Sequence, residues 1–175
     1  PKAIPWNHTT PIKCAADGHF HHDIQPGDVT CWPTNLGWMM GPWQIIGCWL
    51  NRVPFVVFEG APDYPGPDRV WSLVERYGVS HLGISPTAIR LLMRSGADPV
   101  EAHLMNTLRI LGSTGEPWDA DSYRWYFEKV GKGKLPIINI SGGTDIVGCF
   151  LAPLPVLPLV ETSLQSAGLG MDIDV

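Results

Sequence analysis

Ser141-Gly142-Gly143-Thr144-Asp145 follows four β-prone residues, Ile137 to Ile140, and precedes a second apolar run from Ile146 to Phe150. Paired glycines let a backbone approach a ligand closely, a threonine hydroxyl can hydrogen-bond a phosphate, and an aspartate can hold a magnesium ion. That chemistry belongs to an anion or nucleotide site at the end of a buried strand, although the same pattern also marks an ordinary Gly-Gly turn. A second polar, Gly-containing stretch, Gly112-Ser113-Thr114-Gly115-Glu116-Pro117, follows the apolar run Leu108 to Leu111, and the two together say more than either alone. No GxGxxG follows a strand and no GxxxxGK[ST] occurs, which argues against a Rossmann dinucleotide site and a Walker phosphate loop. His19, His21 and His22 with Asp23 have metal-ligand chemistry, but HxHH on one short segment splays its side chains, so a solvated face beside Gln25-Pro26-Gly27-Asp28 is expected.

The elements that must carry these turns are marked by apolar spacing and by caps. Residues 1–27 show no clear element. A strand is expected at Val29 to Trp32, then a buried helix from Trp38 to Leu50 in which Gly41 and Gly47 permit close contacts. Phe55 to Phe58 is continuously apolar, as in a parallel strand covered on both faces. Asp68 is placed to cap a helix presenting Val70, Leu73, Val74 and Tyr77, which Gly78 stops. A strand over Val79 to Ile84 follows, then a helix opened by Ser85 and Pro86, with Ile89, Leu92 and Met93 on its face and Gly96 at its end. After the strand at Leu108 to Leu111, Asp119 caps a helix with Tyr123, Tyr126, Phe127 and Val130 on one stripe, ending at Gly131. Strand and helix alternate with short connections, which specifies an α/β fold: a largely parallel sheet flanked by helices. Ligands in such sheets bind beyond the carboxyl ends of the strands, where both polar turns lie.

The 175 residues suffice for one sizeable core. A net charge of −5 with no basic block argues against a nucleic-acid surface. No apolar run reaches the ~20 residues of a membrane span, and Pro153, Pro155 and Pro158 interrupt the greasiest segment. The four cysteines form no CxxC pair and read as buried reduced thiols of a cytoplasmic protein; no signal peptide is visible. The chain opens with Pro1-Lys2 and stops at Val175 without a closing element, so a piece of a longer protein is expected.

Four segments in order resemble the AMP-forming acyl-CoA synthetases of the adenylate-forming superfamily, most closely the acetyl- and acetoacetyl-CoA synthetase branch. Pro1-Lys2-Ala3-Ile4 resembles the end of that family's Ser/Thr/Gly-rich phosphate loop. Pro26-Gly27-Asp28 through Gly37-Trp38-Met39-Met40-Gly41 is similar to its PGD…DxGWxxG segment. Gly112 to Pro117 is similar to its GSxGEP adenine turn, and Ser141 to Asp145 stands in place of its YGxTE motif. On this resemblance, residues 1–152 form an α/β adenylate-binding subdomain of the large N-terminal domain, and residues 153–175 begin a β-rich subdomain. It implies ATP or AMP, magnesium and CoA as ligands, a small carboxylic acid as substrate, and a place in fatty-acid metabolism, without nucleic acid or membrane.

Residue by residue, the resemblance implies that Gly115, Glu116 and Pro117 line the adenine and that Asn139, Ile140 and Ser141 pass beside it. Thr144 would contact the α-phosphate and, with Asp145, form the catalytic pair. Asp145 would hold magnesium where the family has a longer glutamate. Trp38, Met39, Met40, Thr114 and Gly142 would surround the acyl group. Acetate-activating relatives carry a tryptophan at the Gly142 position, so glycine there leaves room for a longer or 3-oxo acid such as acetoacetate, unless it merely serves the turn. Asn35 replaces the usual aspartate, and His8 alone matches a family histidine. The rest of the phosphate loop, the ribose-binding aspartate and the catalytic lysine of the C-terminal domain would come from the remainder of the parent enzyme, so residues 1–175 alone are expected to be inactive. The departures at Asn35 and Asp145 leave open a non-catalytic nucleotide-binding module of the same fold.

Overall fold

The computed structural model describes residues 3–174, so the phosphate-loop resemblance at Pro1-Lys2 lies outside the described residues. Five parallel strands form the central sheet: β1 (Thr30–Cys31), β2 (Phe55–Val56), β3 (His81–Gly83), β4 (Ile110–Ser113) and β5 (Ile137–Asn139). Their spatial order is β2-β1-β3-β4-β5. The chain therefore steps outward from β1 to β2, then returns past β1 to begin β3 on its other side. Right-handed crossovers require the connecting helices to change faces at that reversal.

The two sides of the sheet show this change. Helices α1 (Thr9–Phe20) and α2 (Met40–Asn51) contribute Cys14, Met40, Trp43 and Cys48 to one core, with Trp32, Ile110 and Ile138 from the sheet. Helices α3 (Arg69–Tyr77), α4 (Pro86–Met93) and α6 (Ala120–Trp125) cover the other face, over Cys31, Leu82, Leu111 and Ile137. Adjacent residues of one strand, such as Ile110 and Leu111, thus enter opposite cores, as the two-residue period of a strand dictates. Helices α1 and α2 meet through small residues: a Cβ added at Gly47 would stand 3.3 Å from the Cys14 sulfur.

The caps behave largely as their residue types require. Ser85 accepts the Ala88 N–H, Asp119 accepts the Ser122 N–H, and Gly78 ends α3 at φ 60°. Tyr123, Tyr126 and Val130 are buried as the stripe predicts, although the last turn, Tyr126–Val130, widens to a π-helix.

Four expectations are corrected. Asp68 does not cap α3 with its side chain, because its carboxylate pairs with His103 Nε2 at 3.1 Å. The buried face of α3 is turned toward Trp71, a large apolar surface that drives the rotation, while Tyr77 stays 47% exposed. Phe55–Phe58 is not covered on both faces: pairing stops at Val56 on an edge strand, and Val57 is 73% exposed. The solvated face expected of the histidines holds only for His19, which is exposed; His21 and His22, just past the end of α1, turn inward and both are fully buried. His21 Nδ1 meets the Pro153 carbonyl at 2.8 Å, and His22 Nδ1 meets His81 Nε2 at 3.3 Å. A short helix α5 (Asp98–Glu101) also forms where no element is expected.

After β5 the chain forms a two-stranded antiparallel hairpin, β6 (Ser141–Gly143) and β7 (Gly148–Leu151). Residues 152–174 run largely as turns, with an isolated bridge from Ala167 back to Leu151.

Candidate active site

The carboxyl ends of β1, β3, β4 and β5 converge on a cleft with two joined chambers. One, of about 420 Å³, is lined by Thr114 to Pro117 from the loop after β4, by Asn139 to Gly142 after β5, and by Thr162 and Leu164. The other, of about 630 Å³, is lined by Trp32 to Asn35 after β1, by Ser85 after β3, and by Trp38, Met39 and Met40 at the start of α2. Thr114, Gly115, Glu116 and Gly142 border both chambers. The larger chamber thus opens between the loops after β1 and β3, at the reversal of strand order where open α/β sheets bind ligands.

Hydrogen bonds fix the walls. Ile140 N–H donates to the Ser113 carbonyl at 3.0 Å, and the Thr114 hydroxyl donates to the Ile140 carbonyl at 2.8 Å, so the loops after β4 and β5 are joined at the chamber border. Asn139 Nδ2 donates to the Ser163 carbonyl at 3.2 Å, drawing the 162–164 segment across as the facing wall. Glu116 does not project a free carboxylate. It accepts the Thr87 N–H at 3.0 Å and pairs with Arg90 at 2.6 Å, while Arg90 also reaches Asp119 at 2.9 Å. Partial burial opposes the Glu116 charge, but the hydrogen bonds from Thr87 and the Arg90 charge outweigh it and hold its pKa below the ordinary value. The side chain braces its loop against α4 and leaves backbone groups of Gly115 and Pro117 to face a ligand.

All seven nucleotide candidates and all five acyl candidates border the cleft. Gly115, Glu116, Pro117, Asn139, Ile140 and Ser141 line the smaller chamber; Thr144 lines the larger one, as do Trp38, Met39, Met40, Thr114 and Gly142. Thr144 sits in the β6–β7 turn, where its carbonyl accepts from Trp6 Nε1 at 2.9 Å. Asp145, next in that turn, is exposed and lines neither chamber; among the described residues its carboxylate makes no hydrogen bond or ion pair. Magnesium takes one or two carboxylates and completes its shell with phosphate and water oxygens. The single uncommitted carboxylate of Asp145, next in sequence to the chamber-lining Thr144, suits that need, whereas Glu116 is engaged by Arg90 and Thr87.

The glycine in the hairpin is filled from the side. A Cβ at Gly142 would lie 2.5 Å from the Gly148 carbonyl oxygen and 2.7 Å from the Met39 thioether. These contacts show that glycine lets the hairpin close against Gly148 and Met39, and Gly142 also borders both chambers. Asn35, also in the lining, accepts the Gly37 N–H at 2.7 Å and so shapes its own loop. Trp32, Ser85, Arg90, Thr162 and Leu164 were not marked as site residues by the sequence. The serine is legible only as a cap, and the others owe their place to tertiary packing.

A family profile described as "AMP-binding enzyme" matches residues 1–172. The chain belongs to the AMP-binding enzyme family. Among its relatives, a hexanoyl-CoA synthase of Cannabis sativa is 40% identical over 152 residues, which is 87% of this chain and 20% of the relative. An acetyl-coenzyme A synthetase of Rubrobacter xylanophilus is 40% identical over 134 residues, covering 76% of this chain and 21% of that protein. An acetoacetyl-CoA synthetase structure from Streptomyces lividans superposes with a TM-score of 0.83 at 30% identity, covering 91% of this chain and 25% of that one. The chain thus spans no more than a quarter of the length of these AMP-binding enzymes. No helix among the described residues is long and apolar enough to cross a membrane.

Proposed function

We propose that this chain forms the adenine, α-phosphate and acyl walls of an ATP-dependent acid–thiol ligase. The observation that carries the reading is the pair of chambers with a shared border, where Pro117 and Asn139 to Ser141 line only the smaller chamber, Trp38, Met39, Met40 and Thr144 line only the larger, and Thr114 to Glu116 with Gly142 line both. In this reading Gly115 to Pro117 and Asn139 to Ser141 flank the adenine, and Thr144 donates to the α-phosphate. A carboxylate oxygen of the acid, held beside Met39, Met40 and Gly142, attacks that phosphorus while pyrophosphate leaves. The thiol of CoA then attacks the acyl carbon and AMP departs. Magnesium, held through Asp145 and the phosphates, would offset charge on the nucleotide oxygens. The catalytic contribution of the chain's own groups is positioning and a fixed hydrogen-bond donor. The substrate class is a short-chain or 3-oxo acid, acetoacetate included, because glycine rather than a large side chain stands at 142.

The test is ATP–pyrophosphate exchange by the native protein with acetate, butanoate and acetoacetate. Thr144→Ala is expected to lower kcat/KM by about 100-fold or more, the loss found when one oxyanion donor is removed. Nucleotide binding by calorimetry without exchange would favour the non-catalytic reading instead. Residues 1–175 alone are expected to show no exchange above that of Thr144→Ala.

A further inference from the structure

Trp32 stands between two spaces. It is 5% exposed and lines the 630 Å³ acyl chamber. It also lines a separate cavity of about 50 Å³ that lies against Gly41, Gln44, Ile45 and Phe55. The indole is laid flat on the sheet by two glycines paired across neighbouring strands, Gly83 of β3 and Gly112 of β4. A Cβ at Gly83 would meet the ring at 1.9 Å and one at Gly112 at 2.8 Å, so no other residue type leaves that bed open. Around the ring stand His22, Trp43 and His81, with centroids 5.9, 5.8 and 6.2 Å from it. The contact of His22 Nδ1 with His81 Nε2 at 3.3 Å ties the two imidazoles together. The sheet on one side and this cluster on the other hold Trp32 in one place, while its edge reaches the chamber.

We propose that Trp32 is the partition that limits how long an acyl chain the site accepts, and that the buried His22–His81 pair positions it. The inference rests on the ligase reading above and adds a residue that none of the sequence motifs marks. With the indole in place on the Gly83–Gly112 bed an unbranched chain is stopped at its edge. With a smaller side chain the chamber runs on into the cavity beside Gln44 and Phe55, which takes further methylenes. Each added methylene accommodated by an apolar pocket is worth about tenfold or more in kcat/KM.

The experiment measures pyrophosphate release by the native protein with acetate, butanoate, hexanoate, octanoate and decanoate. In Trp32→Leu, the ratio of kcat/KM for octanoate to that for butanoate is expected to rise about tenfold or more, mainly through KM for the longer acid. His22→Ala is expected to move the ratio the same way, and His22→Asn, which keeps an amide where Nδ1 stands, to restore it. If Trp32→Leu does not fold, Trp32→Phe decides, because a phenyl ring still rests on the glycine bed while shortening the wall; a rise of several-fold is then expected. An unchanged ratio in a folded Trp32 variant, with the wild type active, overturns the partition alone. A shift with Trp32→Leu but none with His22→Ala overturns the positioning role. Failure of the wild type to use any of the acids overturns the ligase reading and the partition with it.

Discussion

At the scale of single residues, the sharpest consequences follow from groups that have no room or no partner to spare. Gly142→Trp must displace the Met39 thioether and press on the Gly148 carbonyl. Methionine yields and backbone does not, so the variant is expected to lose about 1–3 kcal/mol, the usual cost of overpacking. Thermal unfolding reads that loss, and the kcat/KM ratio of butanoate to acetate is expected to fall as the chamber narrows. The buried imidazoles give a second prediction. Desolvation lowers the pKa of His81 to about 4 and that of His22 well below its ordinary value. Both are neutral when folded, whereas in the unfolded chain they take protons below about pH 6.5. Stability is therefore expected to fall as pH drops from about 6.5 toward 4, by up to about 1.4 kcal/mol per pH unit for each histidine. Urea unfolding at several pH values checks this, and His81→Gln is expected to shallow the slope. The histidine effect is not legible from residue type: His22 reads as polar surface until the fold buries it.

At the scale of elements, the hairpin that carries Gly142 to Asp145 is held by a helix more than a hundred positions away in sequence. Asp17 of α1 is 1% exposed; it accepts the Cys149 N–H at 2.7 Å and pairs with Lys13 at 2.5 Å. Asp17→Ala strands the Cys149 N–H and a cation, a change that costs about 3–5 kcal/mol where a buried pair is broken. Chemical denaturation is expected to show a loss in that range, and, on the proposed phosphate role of Thr144, KM for ATP to rise because the hairpin that carries it loses its support; an unchanged KM would separate the hairpin from the nucleotide. The sequence marks most of the helices and strands, because caps and apolar stripes are local signals. It leaves α1 unassigned because His8, the residue before it, makes no side-chain cap and the buried face of the helix is Cys14, Asp17 and Gly18, a charged residue and a glycine rather than an apolar stripe. The edge position of β2 is equally unreadable, since an apolar run carries no record of which neighbours it will have. The two polar turns at the site were readable for the opposite reason: each is a contiguous stretch whose chemistry is complete in sequence.

At the scale of the whole molecule, the sheet has a working end and a holding end. The chambers occupy the carboxyl ends of the strands, while at the amino ends Arg109, just before β4, grips Asp28 with two hydrogen bonds and Asp23 with two more, to its carboxylate and its carbonyl. Ser80 adds a hydrogen bond to Asp28 at 2.7 Å and the Gln25 N–H another at 2.8 Å, so the loops before β1, β3 and β4 are clamped together. Burial disfavours the Asp28 charge, yet these donors prevail and hold its pKa below the usual carboxylate value. An aspartate so depressed adds stability above its unfolded pKa of about 3.9, and that contribution disappears as the pH falls through the lower folded value. Arg109→Ala leaves the Asp28 carboxylate, which is 6% exposed, without its cation. A loss of about 3–5 kcal/mol is expected by chemical denaturation near neutral pH, shrinking in acid where Asp28 is protonated in both states. Because the clamp lies at the far end of the strands from Trp32 and Gly142, the octanoate-to-butanoate ratio is expected to stay at the wild-type value. A ratio that moved with Arg109→Ala would mean that the two ends of the sheet are coupled, and that chain length is read by the whole sheet rather than by one indole on its glycine bed.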